Sequence, residues 1–95
     1  MPYILKAHRN IIDPTIKDLQ KVLDGIPHID NRDLDGILNY VISNILLNAL
    51  DLRANTKYTK INTAIGVLEC VKAEFYRRVG APYENKAKKK NGDIF

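Results

Sequence analysis

The sequence predicts an all-α protein, in which two long antiparallel helices form a hairpin and a shorter N-terminal helix accompanies them. Apolar residues recur every three or four positions over three separate stretches, which is the period of an amphipathic helix. Turn-forming residues separate those stretches. The length of 95 residues allows one domain with a modest core, and residues 82–95 form a basic C-terminal extension of it.

The first helix is expected to begin at Asp13-Pro14, because Asp13 can cap free amide groups and Pro14 suits the first helical position. Gly25 and Pro27 then end it. The apolar stripe between these signals consists of Ile16, Leu19, Val22 and Leu23.

The second helix is expected over residues 34–52, where apolar side chains cover more than one face. Its remaining face carries neutral polar groups: Asn39, Ser43, Asn44 and Asn48. Solvent-facing surfaces usually carry lysine and glutamate, so we expect this helix to be covered on several sides. The other two helices and a second copy of the chain would provide that cover. The sequence thus predicts a homo-oligomer with an interface at Ile42, Ile45 and Leu46.

The third helix is expected from Tyr58 to Val79, after a polar turn short enough to make the second and third helices antiparallel neighbours. Gly80 could adopt a left-handed conformation after the last turn, and Pro82 would not continue the helix. Gly66 lies inside this helix and indicates either a close contact with another helix or a ligand against the bare backbone. Its apolar side is formed by Ile61, Ala64, Ile65, Leu68, Val71, Phe75 and Val79.

The two ends of the chain are apolar. Residues 1–5 are expected to be extended, residues 86–90 to add a last helical turn, and Asn91-Gly92 to form a turn. Because a loose tail is normally polar, Ile94-Phe95 is expected to fold back. One way to do so is a small two-stranded ribbon with Tyr3-Ile4-Leu5.

The charge of the chain is unevenly distributed. The formal net charge of +4 arises from sums of 0 over residues 1–30, −2 over 31–52 and +6 over 53–95. A partner attracted by charge should therefore meet the C-terminal half. The single cysteine fits a reducing compartment, no secretory signal is evident, and residues 36–50 are too short and polar to span a bilayer. The protein is expected to lie in the cytoplasm and not to associate with a membrane.

The residue patterns of common enzymes are missing. His8 and His28 have no second metal ligand at helical spacing, and no glycine-rich phosphate loop is present. Cys70 is expected to be a small packed side chain. The carboxylates of Asp30, Asp33 and Asp35 suit the start of the second helix better than a cation site. No enzymatic activity, metal or cofactor is predicted.

The basic, aromatic end of the third helix is the best candidate for a binding site. Arginine forks suit phosphate oxygens and tyrosine rings stack on bases. The predicted ligand-binding residues are Tyr76, Arg77, Arg78, Tyr83 and Lys86. Glu74 and Arg78 have the spacing of a helical ion pair. The alternative interpretation is a solvated surface with a lysine run that maintains solubility. Sequence-specific binding of duplex DNA is disfavoured, since no helix-turn-helix spacing is evident.

Several segments resemble a family of small, largely uncharacterised helical proteins of phages and prokaryotes: MPYI, LNYVIS and the EFYRRV-APYE-NGD motif of residues 74–93. The resemblance covers most of the chain and implies origin and class, not chemistry. Small helical-hairpin phage proteins that sequester cyclic nucleotide signals are similar in length and helix order. That analogy implies oligomers that bind phosphates with basic side chains between subunits, and here nominates Tyr76, Arg77, Arg78 and Lys86.

Three hypotheses remain from the sequence. The first is a non-enzymatic, homo-oligomeric binding protein that takes an anionic partner, a nucleotide or an acidic protein, on its C-terminal surface. The second is a protein–protein adaptor or inhibitor that uses the apolar second helix. The third is a small metal-dependent hydrolase built on the acidic cluster, which metal-dependent thermal stabilisation would reveal.

Overall fold

The computed structural model describes residues 4–27 and 31–95, and they form helices joined by short turns with no strand among them. The all-α class is confirmed. The contacts within the chain divide it into two compact units, Met1–Ser43 and Asn44–Phe95. That residues 1–95 form a single domain stays a prediction. The helices are α1 (Lys6–Gly25), α2 (Asn31–Ala49), α3 (Tyr58–Phe75) and α4 (Ala81–Asn91), with a π turn (Tyr76–Gly80) between the last two.

Helix α1 begins at Lys6 and has 20 residues, so the prediction of a short helix starting at Asp13 is wrong. Leu5, in an extended conformation, precedes the first turn. Pro14 lies inside the helix, where its missing N–H removes one backbone hydrogen bond. Its end at Gly25 agrees with the prediction.

Helix α2 ends in a Schellman motif that the sequence did not reveal. The Leu52 N–H donates to the Leu47 carbonyl at 2.9 Å, and the Asp51 N–H donates to the Asn48 carbonyl at 3.2 Å. Asp51 takes the left-handed conformation, φ 52°, at the position where glycine is usual. The half-buried Leu47 and Leu52 occupy the two positions whose apolar contact commonly accompanies this motif.

The amide side chains of α2 are partly engaged by the turn that follows the helix. The Arg53 guanidinium donates from Nη1 to Asn48 Oδ1 and from Nη2 to Asn44 Oδ1, both at 2.7 Å. An arginine fork can satisfy two acceptors one helical turn apart because its donors are held in a plane. Part of the neutral face of α2 is therefore covered by its own loop.

The third helix does not end at Gly80 as predicted. Gly80 has φ −68°, a right-handed helical value, and α4 follows without a break. Within the π turn, the Ala81 N–H donates to the Tyr76 carbonyl five residues back. This wider turn changes the hydrogen-bond register just before Pro82, which has no N–H to donate. The left-handed glycine is instead Gly92, with φ 91° at the end of α4.

The apolar stripe of α3 is largely open. Among the described residues, Ala64 alone is buried, whereas large apolar residues of α3 and the π turn are exposed, including Leu68, Val71, Phe75 and Val79. An added Cβ at Gly66 would meet nothing within 4 Å. The close helix contact expected at Gly66 is therefore absent from the described part of the chain.

The last residues form a turn after α4. The Phe95 N–H donates to Asp93 Oδ1 at 2.9 Å, and Lys88 Nζ lies 3.8 Å from Asp93 Oδ2. The side chains of Ile94 and Phe95 are fully exposed, at 91% and 110%. The expected partner Tyr3 lies outside the described residues, and neither end forms a strand within them. No helix in residues 4–27 or 31–95 combines the length and apolar character needed to cross a membrane.

Candidate functional site

Tyr76 lies across the π turn and contacts α4. Its hydroxyl donates to Glu84 Oε2 at 3.0 Å. The ring passes over Gly80, where the position of an added Cβ would be 3.0 Å from Tyr76 Cδ2. A side chain at Gly80 would therefore crowd the Tyr76 ring, so the glycine gives the ring space and does not form a left-handed turn. The phenol, predicted as a ligand-binding group, is already used to join the two sides of the π turn.

The hydrogen bond to Glu84 changes the acidity of the phenol. It raises the pKa of Tyr76 above its ordinary value, mainly because the carboxylate accepts from the protonated hydroxyl, with smaller contributions from the charge of Glu84 and from burial. Tyr76 is thus a neutral donor under ordinary conditions.

Arg77 is held by its own helix. Its Nη2 donates to both carboxylate oxygens of Glu74 at 2.7 Å, and this i,i+3 ion pair remains open to solvent. The sequence predicted Glu74 as a partner of Arg78, which is wrong. The pair contributes only a few tenths of a kcal/mol to helix stability, but it neutralises part of the charge that Arg77 would offer a ligand.

Arg78 and Lys86 are exposed, and neither has an acidic partner among residues 4–27 and 31–95. Both lie on the helical run from α3 through α4, roughly 12 Å apart along its axis. Tyr83, 73% exposed, lies between them in sequence. Of the five predicted ligand-binding residues, Arg78, Tyr83 and Lys86 therefore remain open to a partner. We call these three the basic face.

The lysines beyond Lys86 extend this positive charge to the end of α4. Lys88, Lys89 and Lys90 occupy the last turn of the helix, where cations are favoured by the helix dipole. Lys88 is near Asp93, whereas Lys89 and Lys90 have no acidic partner in the described part of the chain.

The residues considered for chemistry are dispersed. Cys70 is exposed on α3, so its expected packed position is wrong. No three histidine, cysteine, aspartate or glutamate side chains of the described residues lie together as a metal site would require. His28 and Asp30 fall outside the described residues.

The predicted interface residues on α2 differ in exposure. Ile42 and Ile45 are exposed, at 45% and 55%, whereas Leu46 is half-buried. Two apolar side chains of the predicted set are thus available for a contact outside the chain.

A concave groove in the unit Met1–Ser43 was not predicted from the sequence. It is a recess of about 620 Å³, wide open to solvent, between the second half of α1 and the first half of α2. Its lining is apolar apart from Asp33 and the Tyr40 hydroxyl, and includes Leu19, Leu23, Ile26, Ile37 and Val41. The signal available in the sequence was the matched stripes of the two helices, together with Gly36, which leaves the lining open.

Comparison with known proteins places the chain in a family without assigning an activity. Searches among curated proteins and among solved structures give no match. A family model described as a domain of unknown function, DUF6899, matches residues 1–94. Because this match takes in nearly the whole chain, the protein belongs to the DUF6899 family.

Proposed function

We propose that this protein is a non-enzymatic, homo-oligomeric binding protein of the cytoplasm, phage-related in origin, that takes an anionic partner of the nucleotide class on its basic face. One observation carries the proposal: Arg78 and Lys86 are exposed without acidic partners among the described residues, and the exposed ring of Tyr83 lies between them in sequence. Guanidinium and ammonium groups would hold phosphate oxygens, while the ring would stack on a base.

The other two predicted ligand-binding residues have supporting roles in this proposal. Tyr76 is engaged with Glu84 and Arg77 with Glu74, so each already forms a polar contact within the chain. Tyr76 fixes the π turn, and the π turn sets the rotation of α4 relative to α3. The basic face then depends on Tyr76 for its geometry and not for direct contact with the ligand.

The experiment compares two neighbouring arginines. Pyrophosphate, ATP and a short oligoadenylate are titrated by calorimetry into the full chain, Arg78→Ala and the matched control Arg77→Ala. We expect Arg78→Ala to weaken binding about tenfold or more, since a charge-assisted phosphate contact is lost. Arg77→Ala should change it by less than about twofold, since the Glu74 carboxylate already accepts from the Arg77 guanidinium and neutralises its charge.

Further variants and conditions separate the parts of the site. Tyr83→Ala should weaken the two adenine-containing probes and leave pyrophosphate unchanged, because only a base can stack. Affinity for the oligoadenylate should fall with added salt. Equal losses for the two arginine variants, or no binding of any probe by the full chain, would overturn the proposed site.

The oligomeric part of the proposal is supported by the exposure of Ile42 and Ile45 on α2. A second copy that covers these side chains would remove apolar surface from water, which favours association. The antiparallel arrangement of α2 and α3 belongs to the same proposal, with the short connection between these helices as its support.

The same two isoleucines support a second candidate, a protein–protein adaptor that offers α2 to a groove of a foreign protein. Solution mass distinguishes the two. A chain that stays monomeric at high concentration leaves Ile42 and Ile45 to a foreign partner, whereas a stable oligomer uses them itself.

A further inference from the structure

The positive charge of the basic face continues beyond Lys86. Lys89 and Lys90 follow Lys86 at helical spacings of three and four, which put the three ammonium groups on one side of α4. Tyr83 precedes Lys90 by seven residues and shares that side. Lys88 lies two positions from both Lys86 and Lys90, so it falls on the other side of the helix. We give the name basic strip to Arg78, Tyr83, Lys86, Lys89 and Lys90.

Arg78 belongs to this strip because of the π turn. It precedes Lys86 by eight residues. The π turn takes up one residue more than an α turn, which brings this spacing closer to the seven-residue repeat of a single helix face. Arg78 and Lys90 are then the two ends of a strip roughly 18 Å long by helical rise. The strip is longer than the phosphate chain of one nucleotide.

The charge of the basic strip is not neutralised by the chain itself. Its four cations are exposed, and none has an acidic partner among residues 4–27 and 31–95. Three acidic side chains occur between residues 74 and 93, and each is engaged outside the strip. Glu74, Glu84 and Asp93 contact, in that order, Arg77, Tyr76 and Lys88. The occupant that matches the strip therefore carries several negative charges in a row.

We infer that the basic strip binds a single-stranded nucleic acid, whose phosphates follow the four cations while one base stacks on Tyr83. A strand with stacked bases advances about 3.4 Å per nucleotide, so a strip of roughly 18 Å corresponds to about five nucleotides. This inference rests on the proposed anion site and extends its ligand from a nucleotide to a strand.

The ring of Tyr83 distinguishes this ligand from other polyanions. It is 73% exposed within the row of cations, and an aromatic ring stacks on the face of an unpaired base. An acidic protein offers carboxylates without such a face. In a duplex the base faces are already stacked on one another, so the ring would have no base to contact.

The test compares two lysines of the same helical turn. Lys90→Ala shortens the basic strip, whereas the matched control Lys88→Ala removes the same charge from the other side of α4, beside Asp93. Labelled oligodeoxyadenylates of two to eight nucleotides are titrated with the full chain and with each variant, and fluorescence anisotropy reports binding. ATP is titrated into the same proteins by calorimetry.

We expect affinity to rise with strand length and to level off at about five nucleotides, where the strand covers the strip. Lys90→Ala should weaken the longest strand about threefold or more and leave ATP unchanged, because ATP is too short to reach from Arg78 to Lys90. Lys88→Ala should change neither affinity by more than about twofold. The slope of log affinity against log salt should be about −3 for four phosphate contacts, and about 0.7 shallower in Lys90→Ala.

The outcomes separate this inference from the proposed nucleotide site. Equal affinities for ATP and for every strand length, with ATP still weakened by Arg78→Ala, would reject the strand and keep the nucleotide site. Equal losses in Lys88→Ala and Lys90→Ala would reject the strip, because overall charge would then attract the strand. Tighter binding of a duplex than of a single strand of equal length would also overturn the inference. No binding of any probe would overturn both proposals. Unchanged circular dichroism checks that the variants fold.

Discussion

The phenol of Tyr76 and the carboxylate of Glu84 are joined by a 3.0 Å hydrogen bond that crosses the π turn between α3 and α4. The ring can take this path because Gly80, beneath it, has no side chain. This contact connects the first residue of the π turn to the first turn of α4.

The first prediction concerns the ionisation of Tyr76. Its pKa is raised in the folded chain, so the contact with Glu84 stabilises the fold below about pH 10, the ordinary tyrosine value. That contribution is lost as pH rises through the higher folded value. An ultraviolet titration of tyrosinate should show one late-titrating group in the wild type, absent in Tyr76→Phe. In Glu84→Ala, Tyr76 should titrate near the ordinary tyrosine range. A late-titrating group that persists in Glu84→Ala would contradict the assignment.

The second prediction compares two glycines in the same helical run. Gly66→Ala should raise the free energy of unfolding by about 1 kcal/mol, because alanine is the better helix former and its Cβ meets open space. Gly80→Ala should raise the free energy of unfolding by clearly less, since the added Cβ would be 3.0 Å from Tyr76 Cδ2. Urea unfolding measures both.

A double variant isolates the cause of that difference. Combined with Tyr76→Ala, the Gly80→Ala change should recover the gain seen at Gly66, because the obstructing ring is gone. A Gly80→Ala effect equal in the two backgrounds would mean that the ring does not restrict this position.

The third prediction concerns the left-handed residue at the end of α2. Asp51→Gly should stabilise the chain by about 0.5–1 kcal/mol, since glycine adopts φ near +52° without the steric cost of a Cβ. Asp51→Ala is the control, since it removes the carboxylate and keeps the Cβ, and it should give no gain. Similar gains for both would point to the charge of Asp51 and not to its backbone.

The fourth prediction tests the proposed interface on α2. Ile45→Lys should weaken self-association about tenfold or more, because it places a charge in a contact from which water is excluded. Ile16→Lys on α1, an isoleucine of nearly the same exposure (56% against 55%) outside the proposed interface, is the matched control. Sedimentation equilibrium measures both. Equal effects would indicate a general loss of surface apolarity.

The all-α class could be predicted because the apolar period is a local property that survives whatever the helices pack against. The start of α3 at Tyr58 and the end of α1 at Gly25 could also be predicted from local signals in the sequence. The start of α1 could not be predicted, because proline suits the first turn of a helix and is also tolerated inside a long one. No local rule separates these two cases at Pro14.

The region of Gly80 shows why the site was only partly predictable. Glycine and proline two residues apart normally end a helix, and the spacing of Phe75, Val79 and Tyr83 was the opposing signal that the helix continues. The aromatic and basic residues of the site were found by composition. Their division into Tyr76 and Arg77, which contact carboxylates, and Arg78 and Tyr83, which do not, depends on side-chain geometry.

The five-residue π turn also fixes the direction in which the positive charge of α4 points. Removing one residue between Tyr76 and Gly80 would restore an ordinary α-helix and rotate everything after it by about 100°. The lysines would then point to another side of the helical run from α3 through α4, although every one of them would still be present. For the placement of this charge, the number of residues between α3 and α4 thus matters as much as their chemical type.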